Sequence, residues 1–212
     1  MIRLPTGLYG MADSTFGDPV VQAEKLIAGG CQVVQLRCKG WSSQERIRAA
    51  GAVLAATRAA GAVLIVNDDI ACAAAVKADG VHLGQADGPL GSARAALPIG
   101  ALVGRSTHDN AEIAGAIAEG ADYIGFGPIF GTTTKQTGFS PQGIHRLKEA
   151  CRAFPGPVVA IGGITTARLA AVAGAGAHGW AAGSGIWQAP EPDAAIAFLR
   201  AGADAESDPG DP

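Results

Sequence analysis

Short runs of apolar residues alternate with longer Ala-rich segments along almost the whole chain. The apolar runs fall near 8–12, 33–38, 63–67, 80–84, 102–106, 123–127, 158–162 and 179–183. They are apolar at successive positions rather than at every second one, as expected of parallel strands covered on both faces. Between them lie DPVVQAEKLIAGG, SSQERIRAAGAVLAATRAAG, DIACAAAVKA, GPLGSARAALP, DNAEIAGAIAEG, SPQGIHRLKEACRAF, TTARLAAVAGAG and EPDAAIAFLRAG. Several of these open on Asp, Ser or Thr and close on Gly, the residues that start and stop helices. The phrases GADY and GAHG, each after a helix and before a strand, repeat one αβ turn. Eight βα units in succession predict an α/β fold, a single (β/α)8 TIM barrel, over an open sheet.

The length of 212 residues suits one barrel and leaves little room for a second domain. The barrel is expected over 1–200 as a catalytic domain, followed at 201–212 by an acidic, disordered tail. Hydrophobic residues make up 48% and aromatic residues only 5%, so the core must be built from Ala, Val, Ile and Leu. Asp204, Glu206, Asp208 and Asp211 of the tail outweigh the whole net charge of −3. The near-neutral body that remains speaks against a nucleic-acid partner. Cys31, Cys38, Cys72 and Cys151 show no metal-ligand spacing and read as reduced, mostly buried thiols of a cytoplasmic protein. No signal peptide is visible, and no apolar run approaches the ~20 residues of a membrane span. The sequence is compatible with a homo-oligomer.

The chemistry gathers at the ends of the predicted strands. VVQLRC runs into Gln35, Arg37 and Lys39. VLIV ends in Asn67-Asp68, VHLG in Gln85-Ala86-Asp87, and LVGRS in Ser106-Thr107-His108. YIGFGPIF runs into Thr132-Thr133-Thr134-Lys135, VVAI into Gly162-Gly163, and WAAGS into Gly183-Ser184. Polar groups at one end of parallel strands share one face, which in a βα barrel is the catalytic one. Arg37 and Lys39, two apart, fall on one side of an extended segment and suit a polyanion such as a diphosphate; alternatively they are a solvated pair on a loop. Lys135 is a third candidate cation. Asp68 and Asp87 end neighbouring strands. Either they hold Mg2+ against phosphate oxygens, or each caps the helix that follows it. Gly163, Gly183 and Ser184 occupy the strand ends where barrels often cradle a phosphate on backbone amides, although the glycines also suit plain tight turns. His82 lies within a strand and reads as barrel-lining. His108 is a candidate acid or base, or a simple hydrogen-bonding residue. Trp180 and Trp187 read as packing or rim residues. No nucleophile triad, cysteine nucleophile or Schiff-base context is apparent. Two phosphate-type sites in one mouth, with Mg2+ at one of them, suggest the joining of two phosphorylated substrates.

The blocks QLRCK (35–39), ND (67–68), DGVHLGQAD (79–87), STH (106–108), GADYIGFGPIFGTTTK (120–135) and AIGGIT (160–165) resemble those of the thiamine-phosphate synthase family in order and spacing, from about residue 8 to 190. The resemblance implies a magnesium-dependent transferase. It would condense 4-amino-5-hydroxymethyl-2-methylpyrimidine diphosphate with a thiazole phosphate, by loss of diphosphate before the thiazole nitrogen attacks. It further implies that Gln35, Arg37, Lys39, Asn67 and Lys135 hold the pyrimidine diphosphate. Asp68 and Asp87 would bind the metal, Ser106 would contact the pyrimidine, and Thr132, Thr133, Thr134, Gly163, Gly183 and Ser184 would hold the thiazole phosphate. Lys135, Ser106 and Arg37 are the catalytic candidates. Cys38, Gly131 and Gly183 depart from that family's usual residues. GRSTH also resembles the related thiazole tautomerases, in which His108 would shuttle a proton. A non-catalytic phosphate-ligand-binding barrel is the third reading.

Overall fold

The computed structural model describes residues 2–131 and 138–202. Eight strands, β1 Gly7–Asp13, β2 Val33–Arg37, β3 Val63–Asn67, β4 Gly80–Leu83, β5 Leu102–Thr107, β6 Tyr123–Phe126, β7 Val158–Ile161 and β8 Gly179–Ala182, close into one barrel in chain order. Every pairing is parallel, including the one that joins β8 back to β1. Helices α1 Pro19–Ala28, α2 Ser43–Ala60, α3 Ile70–Val76, α4 Leu90–Ala96, α5 Asn110–Ala118, α6 Gly143–Ala153 and α7 Leu169–Ala173 connect the strands. After β8 the chain makes a single turn, α8 Ser184–Trp187, and then α9 Pro192–Ala201. The eight sequence-predicted strands all form, each within a residue or two of its expected bounds. The expected strand to residue 38 stops at Arg37, because Cys38 begins the turn into α2.

The helix starts follow their sequence signals. Asp18, Asp69 and Asp109 accept backbone N–H groups at the starts of α1, α3 and α5, and Ser42 and Glu45 form a reciprocal capping box on α2. The repeated αβ turn is also real: Gly120 and Gly176 adopt φ of 72° and 84°, a region glycine enters without a steric penalty. Among the described residues no helix is long and apolar enough to cross a membrane.

The strands bury two different surfaces. Outward-facing Leu8, Val34, Leu64, Val81, Val103, Ile124, Ala160 and Trp180 pack against the helices in one continuous core. Inward-facing Tyr9, Met11, Val33, Val63, Ile65, Leu102, Tyr123, Val159 and Ala181 fill the barrel as a second, smaller cluster. Glycine makes room for the interior rings. A methyl group at Gly104 would overlap Tyr123 and His82, and one at Gly125 would press on His82. Each further step of two along a strand carries the inward-facing set out of this cluster and up to the barrel mouth.

Candidate active site

At that mouth lies a cleft of about 130 Å³, lined in part by Asp13 of β1, Gln35 and Arg37 of β2, Asn67 of β3, His82 of β4 and Ser106 of β5. The rest of its wall includes Gly162-Gly163 after β7 and Gly183, Ser184 and Gly185 after β8. Sequence-predicted residues therefore share one cleft: Gln35, Arg37, Asn67, Ser106, His108, Gly163, Gly183 and Ser184. A second cleft adjoins it and contains Arg37, Lys39, Arg46, Asn67, Asp68 and Asp69, so that Arg37 and Asn67 belong to both. Thr132, Thr133, Thr134 and Lys135 lie outside the described residues.

Arg37 is held by a residue that sequence reading missed. Asp13 is its Cα partner across the β1–β2 ladder, and the guanidinium donates to Asp13 Oδ2 at 2.6 Å. The two side chains are 12% and 3% exposed, so this pair is largely desolvated. Asp13 Oδ1 also accepts the Thr15 N–H, while Gln22 Oε1 accepts the Asp13 N–H. The carboxylate thus fixes the arginine from below and leaves its remaining donors for the mouth. The signal was present: Asp13 directly follows the strand expected at 8–12, as other site residues follow theirs.

The two candidate metal carboxylates differ. Asp68 follows β3 directly with φ of 61° in the left-handed region, and its N–H bonds to the His82 carbonyl of β4 at 2.8 Å. Its neighbour Asp69 caps α3 and pairs with Arg46 at 2.7 Å. The helix-capping role proposed for Asp68 therefore belongs to Asp69. Asp87 does not cap α4 either. It turns back to accept the Gly84 N–H at 2.7 Å, and the first N–H of α4, that of Leu90, goes instead to Glu119 Oε2 at 2.8 Å. Asp87 lines neither cleft. Among the described residues no group of three or more His, Cys, Asp or Glu side chains could cage a metal. Mg2+ keeps much of its water and needs only one or two carboxylates plus substrate phosphate. A backbone held in the left-handed region after β3 and a carboxylate anchored through one oxygen after β4 are compatible with such an open donor set.

His108 also lines the cleft, with Nδ1 2.7 Å from Glu112 and its ring stacked on Phe139 at 4.1 Å. His82 is barrel-lining, as read from the sequence, and bonds to Ser106 Oγ at 2.9 Å. On the far wall, Trp187 of α8 donates its indole N–H to the Met11 carbonyl at 2.7 Å, which pins the Gly183–Gly185 turn against β1. Gly185 passes so close to the Ile164 carbonyl that no side chain fits there. This wall is built by backbone, as a phosphate cradle requires. Of the cysteines, Cys31, Cys38 and Cys72 are buried and Cys151 is partly buried, all as free thiols.

Comparison with known proteins agrees with this geometry. A family model described as thiamine monophosphate synthase matches residues 8–186. The thiamine-phosphate synthase of Anaeromyxobacter dehalogenans is 44% identical over 201 residues, covering 92% of this chain and 86% of that protein. That of Salinibacter ruber is 42% identical over 182 residues, covering 86% and 80%. The solved thiamine phosphate pyrophosphorylase of Pyrococcus furiosus superposes with a TM-score of 0.86 at 29% identity, over 94% of this chain and 96% of that one. With a barrel mouth of this composition and a match over most of its length, the chain belongs to the thiamine monophosphate synthase family.

Proposed function

We propose that the protein joins 4-amino-5-hydroxymethyl-2-methylpyrimidine diphosphate to a thiazole phosphate, giving thiamine phosphate and diphosphate, with diphosphate leaving before the carbon–nitrogen bond forms. The observation that supports this best is the two-sided cleft. One wall offers a buried, carboxylate-braced arginine with Gln35, Asn67 and Ser106, and the other offers backbone turns at Gly163 and Gly183-Ser184-Gly185. One wall suits a diphosphate attached to a polar ring, and the other a compact monophosphate.

In this reading Arg37 and Lys39 bind the diphosphate across the two adjoining clefts, and Lys135 supports the charge that grows as the diphosphate departs. Positioned charge of this kind acts most strongly in the transition state. Gln35 and Ser106 orient the pyrimidine. Thr132, Thr133, Thr134, Gly163, Gly183 and Ser184 hold the thiazole phosphate, so that its ring nitrogen faces the methylene carbon left behind. Placement of a neutral nucleophile is the other large contribution available to such a site. Asp68 and Asp87 would hold Mg2+, which when bound neutralises the leaving diphosphate.

The test is thiamine phosphate formation from the two purified substrates, with His108→Ala run beside the wild type. The proposal expects coupling by both, because bond formation needs no side-chain base at that position. A wild type that isomerises a thiazole but never consumes the pyrimidine diphosphate, with His108→Ala inactive, would instead establish the tautomerase reading.

A further inference from the structure

A chain of hydrogen bonds crosses the barrel interior directly beneath the cleft. Gln35 Nε2 donates to the Tyr9 hydroxyl at 2.8 Å, and the Tyr9 and Tyr123 hydroxyls meet at 2.9 Å. The Tyr123 hydroxyl meets His82 Nδ1 at 3.1 Å, and His82 Nε2 meets Ser106 Oγ at 2.9 Å. Five residues on five strands, all of them lining the cleft, thus link Gln35 to Ser106.

Such a chain has a direction. Each phenol has one proton to give, and a neutral imidazole has one donor and one acceptor nitrogen. With Gln35 donating to Tyr9, pairing of every buried proton sends the Tyr9 proton to Tyr123 and the Tyr123 proton to His82 Nδ1. The imidazole proton then sits on Nε2 and points at Ser106. Ser106 is left to donate its own proton into the cleft. At the other end Gln35, its amide nitrogen turned inward, keeps its carbonyl oxygen as an acceptor. Burial pushes both phenols above their ordinary range, so neither ionises and interrupts the series. The alternative that also uses every proton in the series reverses every bond together: the Gln35 amide turns over, His82 carries its proton on Nδ1, and Ser106 offers only lone pairs.

We propose that Tyr9, Tyr123 and His82 are positioning residues that fix the polarity of the cleft, presenting a donor at Ser106 and an acceptor at Gln35, and so select an aminopyrimidine over its oxo counterpart. An aminopyrimidine offers a ring-nitrogen acceptor beside an amino donor. Exchange of the amino group for an oxo group replaces that donor by an acceptor and places a proton on the adjacent nitrogen. The inference rests on the pyrimidine diphosphate reading above. Sites built to satisfy one hydrogen-bond pattern reject an analogue that leaves buried groups unpaired by large factors.

Two measurements on the full chain test it. Nitrogen-15 spectra of labelled histidine should show His82 as the Nε2–H tautomer. Calorimetric binding should favour the amino over the oxo pyrimidine diphosphate by about 10²-fold or more in the wild type. Tyr123→Phe cuts the series while keeping the ring, and should lower that ratio at least tenfold, with affinity for inorganic diphosphate unchanged. Should Tyr123→Phe fail to fold, Tyr9→Phe cuts the series one link away, and the wild-type tautomer decides the direction unaided. An Nδ1–H tautomer, or an undiminished ratio in the cut variants, overturns the inference. Equal binding of both pyrimidines by the wild type overturns it while leaving the functional reading intact. Binding of neither overturns the functional reading itself.

Discussion

Asp13→Asn isolates the charge beneath Arg37. The replacement keeps the side chain's shape, and its carbonyl oxygen still accepts the Thr15 N–H that Asp13 now caps. What disappears is the negative charge 2.6 Å from a guanidinium that is 12% exposed. Removing one partner of a fully buried pair costs about 3–5 kcal/mol, because the other charge is left without compensation. Arg37 borders two clefts, where water recovers part of that, so a loss of about 2–3 kcal/mol is expected. For a domain of this size that lowers the melting temperature by roughly 5–10 °C. Saturating inorganic diphosphate should narrow the gap between variant and wild type, since an anion in the cleft supplies the missing countercharge and stabilises only the folded chain. Thermal melts with and without diphosphate measure both effects. The double variant with Arg37→Met shows whether they belong to the pair. A drop below about 2 °C, or an equal drop when Asp13→Asn is made in the Arg37→Met background, would refute the reasoning.

Asp68→Ala and Asp87→Ala should each slow coupling by roughly 10²-fold or more, and a chelator should do the same to the wild type; full turnover in excess chelator contradicts the metal role. Lys135→Ala should lower kcat more than it raises KM for the thiazole phosphate, whereas an unchanged kcat with only a raised KM would remove Lys135 from the leaving-group side. Burial pushes the thiols of Cys31 and Cys72 up to about 11 and that of Cys38 up to about 12. The folded chain therefore holds these protons after the unfolded chain has released them near pH 9, so stability is full below that pH and falls as pH rises toward 11. Urea melts at pH 8 and pH 10.5 should show the lower midpoint at the higher pH, and a flat midpoint counts against the assignment.

The barrel was legible because unbroken apolar runs and Asp/Ser starts with Gly stops are local signals, and all eight strands carry them. The mouth residues Gln35, Arg37, Asn67 and Ser106 were legible because a polar residue at a strand end has few structural reasons to be there. Asp13, with Ser14 and Thr15 after it, carries the same signal, but in sequence it reads equally well as the cap of the turn that follows. Tyr9 and Tyr123 were invisible as site residues, because inside an apolar run a tyrosine reads as packing. Their hydroxyls acquire meaning only when β1 and β6 face each other across the barrel. The turn α8 escaped notice because four residues have no periodicity. Asp87 looked equivalent to Asp68 in sequence, and only the fold shows that one folds back on its own turn while the other enters the second cleft.

The glycines under the aromatic floor have a consequence for how deep the cleft can be. Gly104 makes room for the rings of Tyr123 and His82, Gly125 for that of His82, and both rings line the cleft. Gly104 does not line the cleft, so the position of those rings is set in part by a residue with no side chain and no place in the cleft wall. A methyl group added at Gly104 must lift the rings, and the cleft becomes shallower from below while every residue along its rim keeps its identity. Substrate size in this barrel can therefore drift through substitutions that a comparison of mouth residues would never register.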